Sequence, residues 1–186
     1  MTAPVTPLPR PATPPAHGAV VLREFVDADV AVGLDLSTDP YVPLVSTLPP
    51  HATTDDARDW VERNRARWAT GKGFSFAIAD AGTGQGLGQI GLWVDELPHG
   101  RASAGYFVAP GARGRGLAAD ALTALTTFAW TIPGLHRVQL FIEPWNTASI
   151  RTAERAGYAR EGLLRGHLEI GGRRRDVLLY AVVRSG

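Results

Sequence analysis

The chain has 186 residues, the length of one domain, and 45% of them are hydrophobic, which is enough for a packed core. Its formal net charge of +1 lacks the basic excess of nucleic-acid binding proteins, so no direct nucleic-acid contact is predicted. The absence of cysteine excludes disulfides, thiolate metal sites and a cysteine nucleophile, and no metal site is predicted. No apolar run approaches the ~18 residues of a membrane span, and no signal-peptide segment is visible, so we expect a cytoplasmic protein.

Proline dominates the beginning of the chain, with six of the 14 prolines in the first fifteen residues. Proline has a fixed φ and no amide hydrogen, which prevents regular helix or central-strand structure. Residues 1–18 are therefore predicted to be a disordered, Pro-rich tail, and residues 19–186 to form the folded domain.

The remaining sequence alternates between strand and helix patterns. Strands are predicted at 20–25, 74–80, 87–94, 104–108, 138–142, 158–168 and 177–183. Helices are predicted after Asp27, after Thr53 or the adjacent threonine, at 116–130 and at 147–156. The last two strands form a hairpin that turns near Gly171 and Gly172. This order predicts one α+β sheet domain without internal repeats.

Two tryptophans, Trp60 and Trp68, lie eight residues apart and share one face of the helix that follows Thr53. A place in the core is the simpler interpretation of this pattern. The alternative is that the two rings line a substrate cleft.

A glycine-rich stretch at 108–118 separates a strand from a helix. Glycines let backbone amides approach a ligand, and the first amides of a helix have no internal partner. Such a turn is typical of a phosphate or pyrophosphate site, to which Arg113 and Arg115 can add charge-assisted hydrogen bonds.

The spacing Arg113-x-x-Gly116-x-Ala118 resembles the Arg/Gln-x-x-Gly-x-Gly/Ala signature of the GNAT acetyltransferase superfamily. The segment 146–158 is similar to the Asn-x-x-Ser-x-Arg…Gly-Phe segment of its RimJ/RimL-like branch, the ribosomal-protein N-terminal acetyltransferases. Flanking matches to that branch follow in register at 105–108, 135–138, 161–165 and Asp176.

The resemblance implies a mixed, mostly antiparallel sheet of six to seven strands with about four helices, in which strands four and five (104–108 and 138–142) splay apart. It implies an acyltransferase that moves an acetyl group from acetyl-CoA, the cosubstrate, directly to an amine. Pantetheine would lie along strand four and bind backbone groups of Phe107 and Val108. The pyrophosphate would be held by the amides of Arg113, Gly114, Arg115, Gly116, Leu117 and Ala118.

Three further roles follow from the resemblance. Asn146 would bind pantetheine, and Arg151 would either reach the nucleotide of the coenzyme or be a solvated helix residue. The Val108 amide would stabilise the oxyanion of the tetrahedral intermediate. Ser149 is the candidate general acid for the departing thiolate, although a serine early in a helix also often binds local backbone.

The general base is not identified by the sequence. Many GNAT enzymes have a glutamate on strand four, but residues 102–105 here contain no carboxylate. The remaining base candidates are Glu96, His99, Glu143, His167 and Glu169. A terminal α-amine has a pKa of about 7.7–8.0 against about 10.4 for lysine, so a site without a strong base suits an α-amine. We therefore predict a protein or peptide N-terminus as the acceptor.

Two alternatives remain: an acetyltransferase for a small-molecule amine, such as an antibiotic or metabolite, and a CoA-binding module without turnover. Residues 37–72 are expected to frame the acceptor cleft, where a shallow cleft would favour a peptide and a closed acidic pocket a small cation. The basic run 173–175 is interpreted as a solvated hairpin tip or a docking patch, and a homodimer is an open expectation.

Overall fold

Eight strands form one sheet in the computed structural model, which describes residues 8–184. The strands are β1 (Ala16–His17), β2 (Val20–Arg23), β3 (Gly73–Asp80), β4 (Gly86–Trp93), β5 (Arg101–Val108), β6 (Arg137–Ile142), β7 (Ala159–Ile170) and β8 (Arg173–Val183). Their spatial order is β1-β2-β3-β4-β5-β6-β8-β7. Only β5 and β6 are parallel neighbours among these described strands. The count exceeds the predicted six to seven because β1 forms within the predicted tail.

Five α-helices cover the sheet in the described part of the chain, one more than the four predicted. They are α1 (Val30–Leu36), α2 (Val42–Val45), α3 (Thr54–Ala66), α4 (Leu117–Ala129) and α5 (Thr147–Arg155). The predicted cap of α3 is confirmed: the Thr53 hydroxyl accepts from the Asp56 amide at 3.2 Å, and the Asp56 carboxylate accepts from the Thr53 amide at 2.9 Å. Within the described residues, no helix combines the length and apolar character needed to cross a membrane.

Both faces of the sheet are covered, and β3 shows how alternation divides its side chains between them. Phe74, Phe76 and Ile78 belong to the larger core, which includes the apolar face of α4. Ala77, between them, belongs to a second core with residues of α1 and α3. The strand is therefore hydrophobic on both sides, as expected for a central strand.

The two tryptophans of the α3 region have different surroundings. Trp60 is buried in the second core and packs edge-on against Phe25 with ring centroids 5.2 Å apart. Trp68 lies in the 3-10 turn Arg67–Thr70, beyond the last residue of α3. The change of helical pitch at this point breaks the 3.6-residue period, so the shared face predicted for the two rings is not maintained.

The predicted tail over 1–18 differs from the structure in its described part, because residues 8–18 lie against the domain. The Leu8 amide donates to the Trp68 carbonyl at 3.1 Å, and the Arg10 guanidinium carbon lies 4.1 Å from a Trp68 ring centroid. Leu8 packs against the larger core, and residues 8–15 line an apolar pocket together with Phe74, Leu97 and Phe128. Proline loses little backbone entropy on ordering, which favours such a contact. Residues 1–7 lie outside the described residues.

The predicted splaying of strands four and five, which are β5 and β6, is confirmed. Only Arg101–Ser103 pair with Arg137–Gln139, and the rest of β5 has no partner on that side. The strand begins three residues before its predicted start at Ala104, and those three residues are the ones that pair with β6. A wedge-shaped gap, here called the seam, therefore opens beside residues 104–108.

A buried ion pair ties the end of β2 to the beginning of α1. Asp29 is 1% exposed, and its carboxylate accepts from Arg23 at 2.7 and 2.9 Å and from the Val26 amide at 2.8 Å. We expect Asp29→Ala to lower the free energy of unfolding by about 3–5 kcal/mol, because it leaves a half-buried guanidinium without its counter-ion. Urea denaturation measures this loss.

The matched control is Asp27→Ala, since Asp27 is 94% exposed in its ion pair with Arg65. Exposed pairs contribute little to stability, so this variant should unfold close to the parent. Equal midpoints for the two variants would contradict the assignment of Asp29.

Candidate active site

The backbone of β5 presents alternate residues to the seam. The Ala109 amide donates to the Leu87 carbonyl of the β4 side at 2.9 Å. Because backbone direction alternates along an antiparallel strand, the amides and carbonyls of Tyr106 and Val108 point the other way, into the seam. The predicted role of the Val108 amide is therefore geometrically available.

Phe107 differs from the prediction. It pairs with Gln89 of β4, and its carbonyl occupies the space that a Cβ on Gly88 would need. Its backbone groups are therefore directed at β4 and away from the seam. Tyr106 takes the place that was predicted for Phe107, which the sequence alone could not show because the phase of alternation depends on the β4 register.

The glycine-rich turn forms a row of free amides at the end of the seam. Gly114 and Gly116 have φ of 77° and 78°, and α4 begins at Leu117. Within residues 8–184, the amides from Gly114 to Ala118 donate to no protein acceptor. Only a residue without Cβ adopts this conformation readily, so the turn depends on its glycines.

Two of the predicted arginines already have protein partners. The Arg113 guanidinium donates to the Val108 carbonyl at 3.0 Å and pairs with Asp39 at 2.7 Å. Arg115 lies 3.8 Å from the Asp80 carboxylate. The side chain of Arg113 therefore braces the turn against β5, while the amides remain the groups that face outward.

A further arginine next to the turn was missed from the sequence. A Cβ built on Gly116 would lie 3.1 Å from Nη1 of Arg155. Arg155 follows Arg151 by four residues on α5, so the two share one helix face. The spacing of four residues from Arg151 was the feature of the sequence that could have identified Arg155. Arg151 itself is exposed.

The start of α5 holds two of the predicted residues together. Asn146 caps the helix, and its side-chain oxygen accepts from the Ser149 amide at 3.1 Å. This cap leaves the side-chain nitrogen of Asn146 as a donor for a ligand. The sequence left open that Ser149 only contacts the local backbone. In the structure it is the Ser149 amide that makes the local contact, and the Ser149 hydroxyl remains available to another partner.

That partner is Tyr106. The Tyr106 hydroxyl lies 2.7 Å from the Ser149 hydroxyl, and either group can be the donor. Burial raises the pKa of Tyr106, outweighing the hydrogen bonds from Ser149 and Thr152 that lower it. The phenol is thus neutral and can supply a proton to Ser149. The sequence analysis quoted Tyr106 within a motif but gave it no role.

A cavity of about 500 Å³ lies between the seam and the α2–α3 region. Its walls include Tyr106 and Ser149 and five further aromatic side chains: Tyr41, Trp60, Trp93, Phe107 and Phe141. Tyr41, Val45–Thr47, Trp60, Asn64 and Arg67 all come from residues 37–72, the region expected to frame an acceptor cleft. Only Arg67 and Glu143 are charged among the described lining residues.

Glu143 is the one base candidate that lines this cavity. It is 5% exposed and lies 3.7 Å from Nε of Arg175. Burial, followed by a hydrogen bond to Glu143, raises the pKa of Tyr41, which therefore remains a protonated donor to the carboxylate. Arg175, part of the predicted solvated run 173–175, thus has a defined partner.

The other base candidates lie elsewhere. Glu96 accepts from Arg101 and Gln139 at 2.9 and 3.0 Å, which gives it a structural role. His99, His167 and Glu169 are exposed. The His167 ring stacks on Phe141 with centroids 5.0 Å apart, outside the cavity lining.

Free amides at a glycine turn, an unpaired strand edge and an adjoining cavity together fit an extended ligand that ends in phosphates. Coenzyme A has this form. The residues present therefore suit the cosubstrate that the sequence resemblance implied.

Comparisons with known proteins agree with this geometry. The chain is 29% identical over 161 residues to the N-acetyltransferase p20 of Bacillus licheniformis, covering 87% of this chain and 89% of that protein. Among solved structures, it is similar to RimJ of Mycobacterium smegmatis in complex with a CoA disulfide, at 25% identity and TM-score 0.72, covering 91% of this chain and 88% of that one.

The chain also has the fold of a variant of the spermidine N-acetyltransferase SpeG from Vibrio cholerae, at 21% identity and TM-score 0.68, with coverage of 89% and 94%. A family model described as the acetyltransferase (GNAT) domain matches residues 19–159. The chain therefore belongs to the GNAT family of N-acetyltransferases and is an acyltransferase of the RimJ/RimL-like branch.

Proposed function

We propose that this enzyme transfers the acetyl group of acetyl-CoA directly to the α-amine of a protein or peptide N-terminus. The observation that carries the proposal is the cavity beside the seam, whose charged lining consists of one carboxylate, Glu143, and one guanidinium, Arg67. Such a charge-balanced cavity suits an acceptor with a single amine better than a polycation.

The proposed cosubstrate site uses the groups already described. Backbone groups of Tyr106 bind the pantetheine amides as an added strand would, and Asn146 donates its side-chain amide. The amides of Gly114 to Ala118 bind the pyrophosphate, and Arg115 and Arg155 neutralise its charge. Arg151 extends this basic surface toward the nucleotide.

The proposed chemistry is a direct displacement. Glu143 accepts the proton of the acceptor ammonium, directly or through water, and the free amine forms the new C–N bond. The Val108 amide stabilises the oxyanion. Ser149 donates its hydroxyl proton to the sulfur as the C–S bond breaks, and Tyr106 restores that proton to Ser149. The second proton that the attacking nitrogen must lose passes through water to the Tyr106 phenolate, which returns the phenol to its neutral form.

Two arguments favour an α-amine. At neutral pH an α-amine, with a pKa of about 7.7–8.0, is already partly neutral, so a single carboxylate is sufficient as the base. Spermidine, the substrate in the name of SpeG, carries several ammonium groups, and the cavity offers one lining carboxylate to bind them.

A small-molecule amine is the second candidate. The cavity of about 500 Å³ lies within the range of small-ligand sites, which is about 300–1,000 Å³. An acceptor with one amine and little other charge would fit the same groups.

An acceptor panel separates these functions. The enzyme and acetyl-CoA are incubated with a peptide bearing a free N-terminus and an acetyl-lysine, with the same peptide blocked at its N-terminus and bearing free lysine, and with spermidine. We expect thiol release and a mass increase of one acetyl group only with the first peptide. Turnover restricted to the lysine peptide or to spermidine would overturn the proposal.

Replacing Glu143 by Gln tests the proposed base. We expect kcat with the N-terminal peptide to fall by about a hundredfold, the effect typical of losing a general base, while acetyl-CoA affinity is unchanged. Steady-state kinetics and calorimetry measure the two quantities. Glu169→Gln, at an exposed carboxylate of β7, is the matched control and should retain full activity. A normal rate in the Glu143 variant would exclude this carboxylate as the base.

A further inference from the structure

Arg67 lines the acceptor cavity without a protein counter-ion. It opens the 3-10 turn after α3, and within residues 8–184 its guanidinium makes neither a hydrogen bond nor an ion pair. Its Nε is buried with no partner. Burial lowers the pKa of Arg67, and the more distant charge of Asp95 opposes this effect only in part.

The other half-buried arginines of the fold are paired. Arg23 binds Asp29, Arg65 binds Asp27, Arg101 binds Glu96, and Arg137 binds Glu161. A guanidinium removed from water requires a carboxylate or other acceptors to offset its lost hydration. Arg67 therefore differs from the other half-buried arginines, and a ligand in the cavity can supply the acceptor that the protein does not.

The position of Arg67 is fixed by a stack that reaches β5. Its guanidinium carbon lies 5.3 Å from a ring centroid of Trp93. The Trp93 ring in turn covers Gly91 and Gly105, where a Cβ would lie 3.1 Å from ring atoms. The absence of side chains at these glycines leaves room for the indole. Arg67 is thus held over the part of β5 that precedes Tyr106.

Nearby polar groups do not compete for Arg67, because they bind one another. Ser75 donates to Asn64 at 2.7 Å, Gln89 donates to Ser75 at 3.1 Å, and Asn64 donates to the Trp60 carbonyl at 2.8 Å. This series of hydrogen bonds holds the cavity wall in one arrangement. The guanidinium remains the cationic group that faces the cavity, with Glu143 as the anionic one.

We propose that Arg67 binds a carboxylate of the acceptor, and that preferred acceptor peptides carry an acidic side chain at their first residue. This inference rests on the proposed N-terminal acetylation. Glu143 then faces the ammonium and Arg67 the carboxylate of the same residue, so the charge of the cavity matches both groups. A planar guanidinium suits this role because it can donate two parallel hydrogen bonds to a carboxylate.

The test compares C-terminally amidated peptides that differ only in a first residue of Glu or Gln. For the parent enzyme we expect kcat/KM to be at least about tenfold higher with the Glu peptide, consistent with one charge-assisted hydrogen bond. Arg67→Leu should remove this preference and leave acetyl-CoA affinity unchanged. The Glu/Gln ratio is measured within each variant, so it does not depend on the folded fraction.

Two further variants sharpen the comparison. Arg67→Glu should reverse the preference in favour of a first-residue lysine. Arg58→Leu, at an exposed α3 arginine paired with Asp55, should retain the Glu preference of the parent.

Each contrary outcome has a distinct meaning. Equal rates for the Glu and Gln peptides with the parent enzyme would overturn the role of Arg67 while leaving N-terminal acetylation intact. Turnover of free glutamate with neither peptide acetylated would overturn the peptide acceptor, and with it the proposed function. No turnover with either peptide but turnover of spermidine would overturn both.

Discussion

Replacement of Gly114 by Asp is expected to weaken acetyl-CoA binding by at least about a hundredfold. The substitution places a carboxylate among the amides that we propose bind the pyrophosphate, and like charges about 4 Å apart repel by about 4 kcal/mol at an effective dielectric constant of 20. A tenfold change in affinity corresponds to about 1.4 kcal/mol, so partial screening still leaves a large effect. Titration calorimetry with acetyl-CoA measures the change.

Gly134→Asp is the matched control. Both glycines have nearly equal positive φ, 77° and 78°, and neither would bring a Cβ within 4 Å of other atoms. The backbone strain of the two variants should therefore be the same, while Gly134 lies outside the proposed site. If both variants bound acetyl-CoA like the parent, the pyrophosphate would be held elsewhere.

Loss of the Ser149 hydroxyl is expected to lower kcat by about a hundredfold, because a positioned general acid contributes about 10²–10⁴ in rate. Tyr106→Phe should have a smaller effect, about tenfold, because Ser149 would still donate but would regain its proton from water. Burial raises the pKa of Tyr106, so the phenol stays protonated through neutral pH and no alkaline loss is expected near its ordinary pKa of about 10. Rapid-quench measurement of acetyl transfer isolates the chemical step.

The control for Tyr106→Phe is Tyr158→Phe. The Tyr158 hydroxyl lies 2.7 Å from the Thr126 hydroxyl, the same separation as in the Tyr106–Ser149 pair, but it is buried outside the cavity. Both variants lose one buried hydroxyl contact, and only the Tyr106 variant should lose activity. A full rate in Ser149→Ala would exclude the pair as the source of the proton.

The sequence predicted the secondary structure well where local signals were strong. The α4 and α5 boundaries at Leu117–Ala129 and Thr147–Arg155 agree with the prediction to within one residue, because glycine and asparagine begin these helices. The turn at Gly171 and Gly172 is also confirmed, and both residues have positive φ. Helix caps and glycine turns depend on residues that are adjacent in the chain, so the sequence alone is sufficient to predict them.

Features that depend on distant contacts were not predictable. Arg67 and Trp93 meet only through the sheet, so neither residue type nor spacing marks Arg67 as a cavity group. Pairing with β4 decides which backbone groups of β5 face the seam. It directs those of Tyr106 into the seam and those of Phe107 toward β4. The contact of residues 8–15 depends on an apolar groove formed by β3 and α4, far along the chain.

The seam also bears on how a sheet with an unpaired strand edge limits the addition of a strand from another chain. Unpaired backbone groups along a strand are ordinarily found at the rim of a sheet, where they invite another chain to add a strand and begin aggregation. Here the backbone groups of Tyr106 and the amide of Val108 lie inside the sheet, with β4 on one side and β6 and α5 on the other. A slender ligand can enter this gap, whereas a β-strand with its own side chains meets those walls. The fold thereby keeps the unpaired side of β5 available to a ligand and away from strands of other copies of the chain.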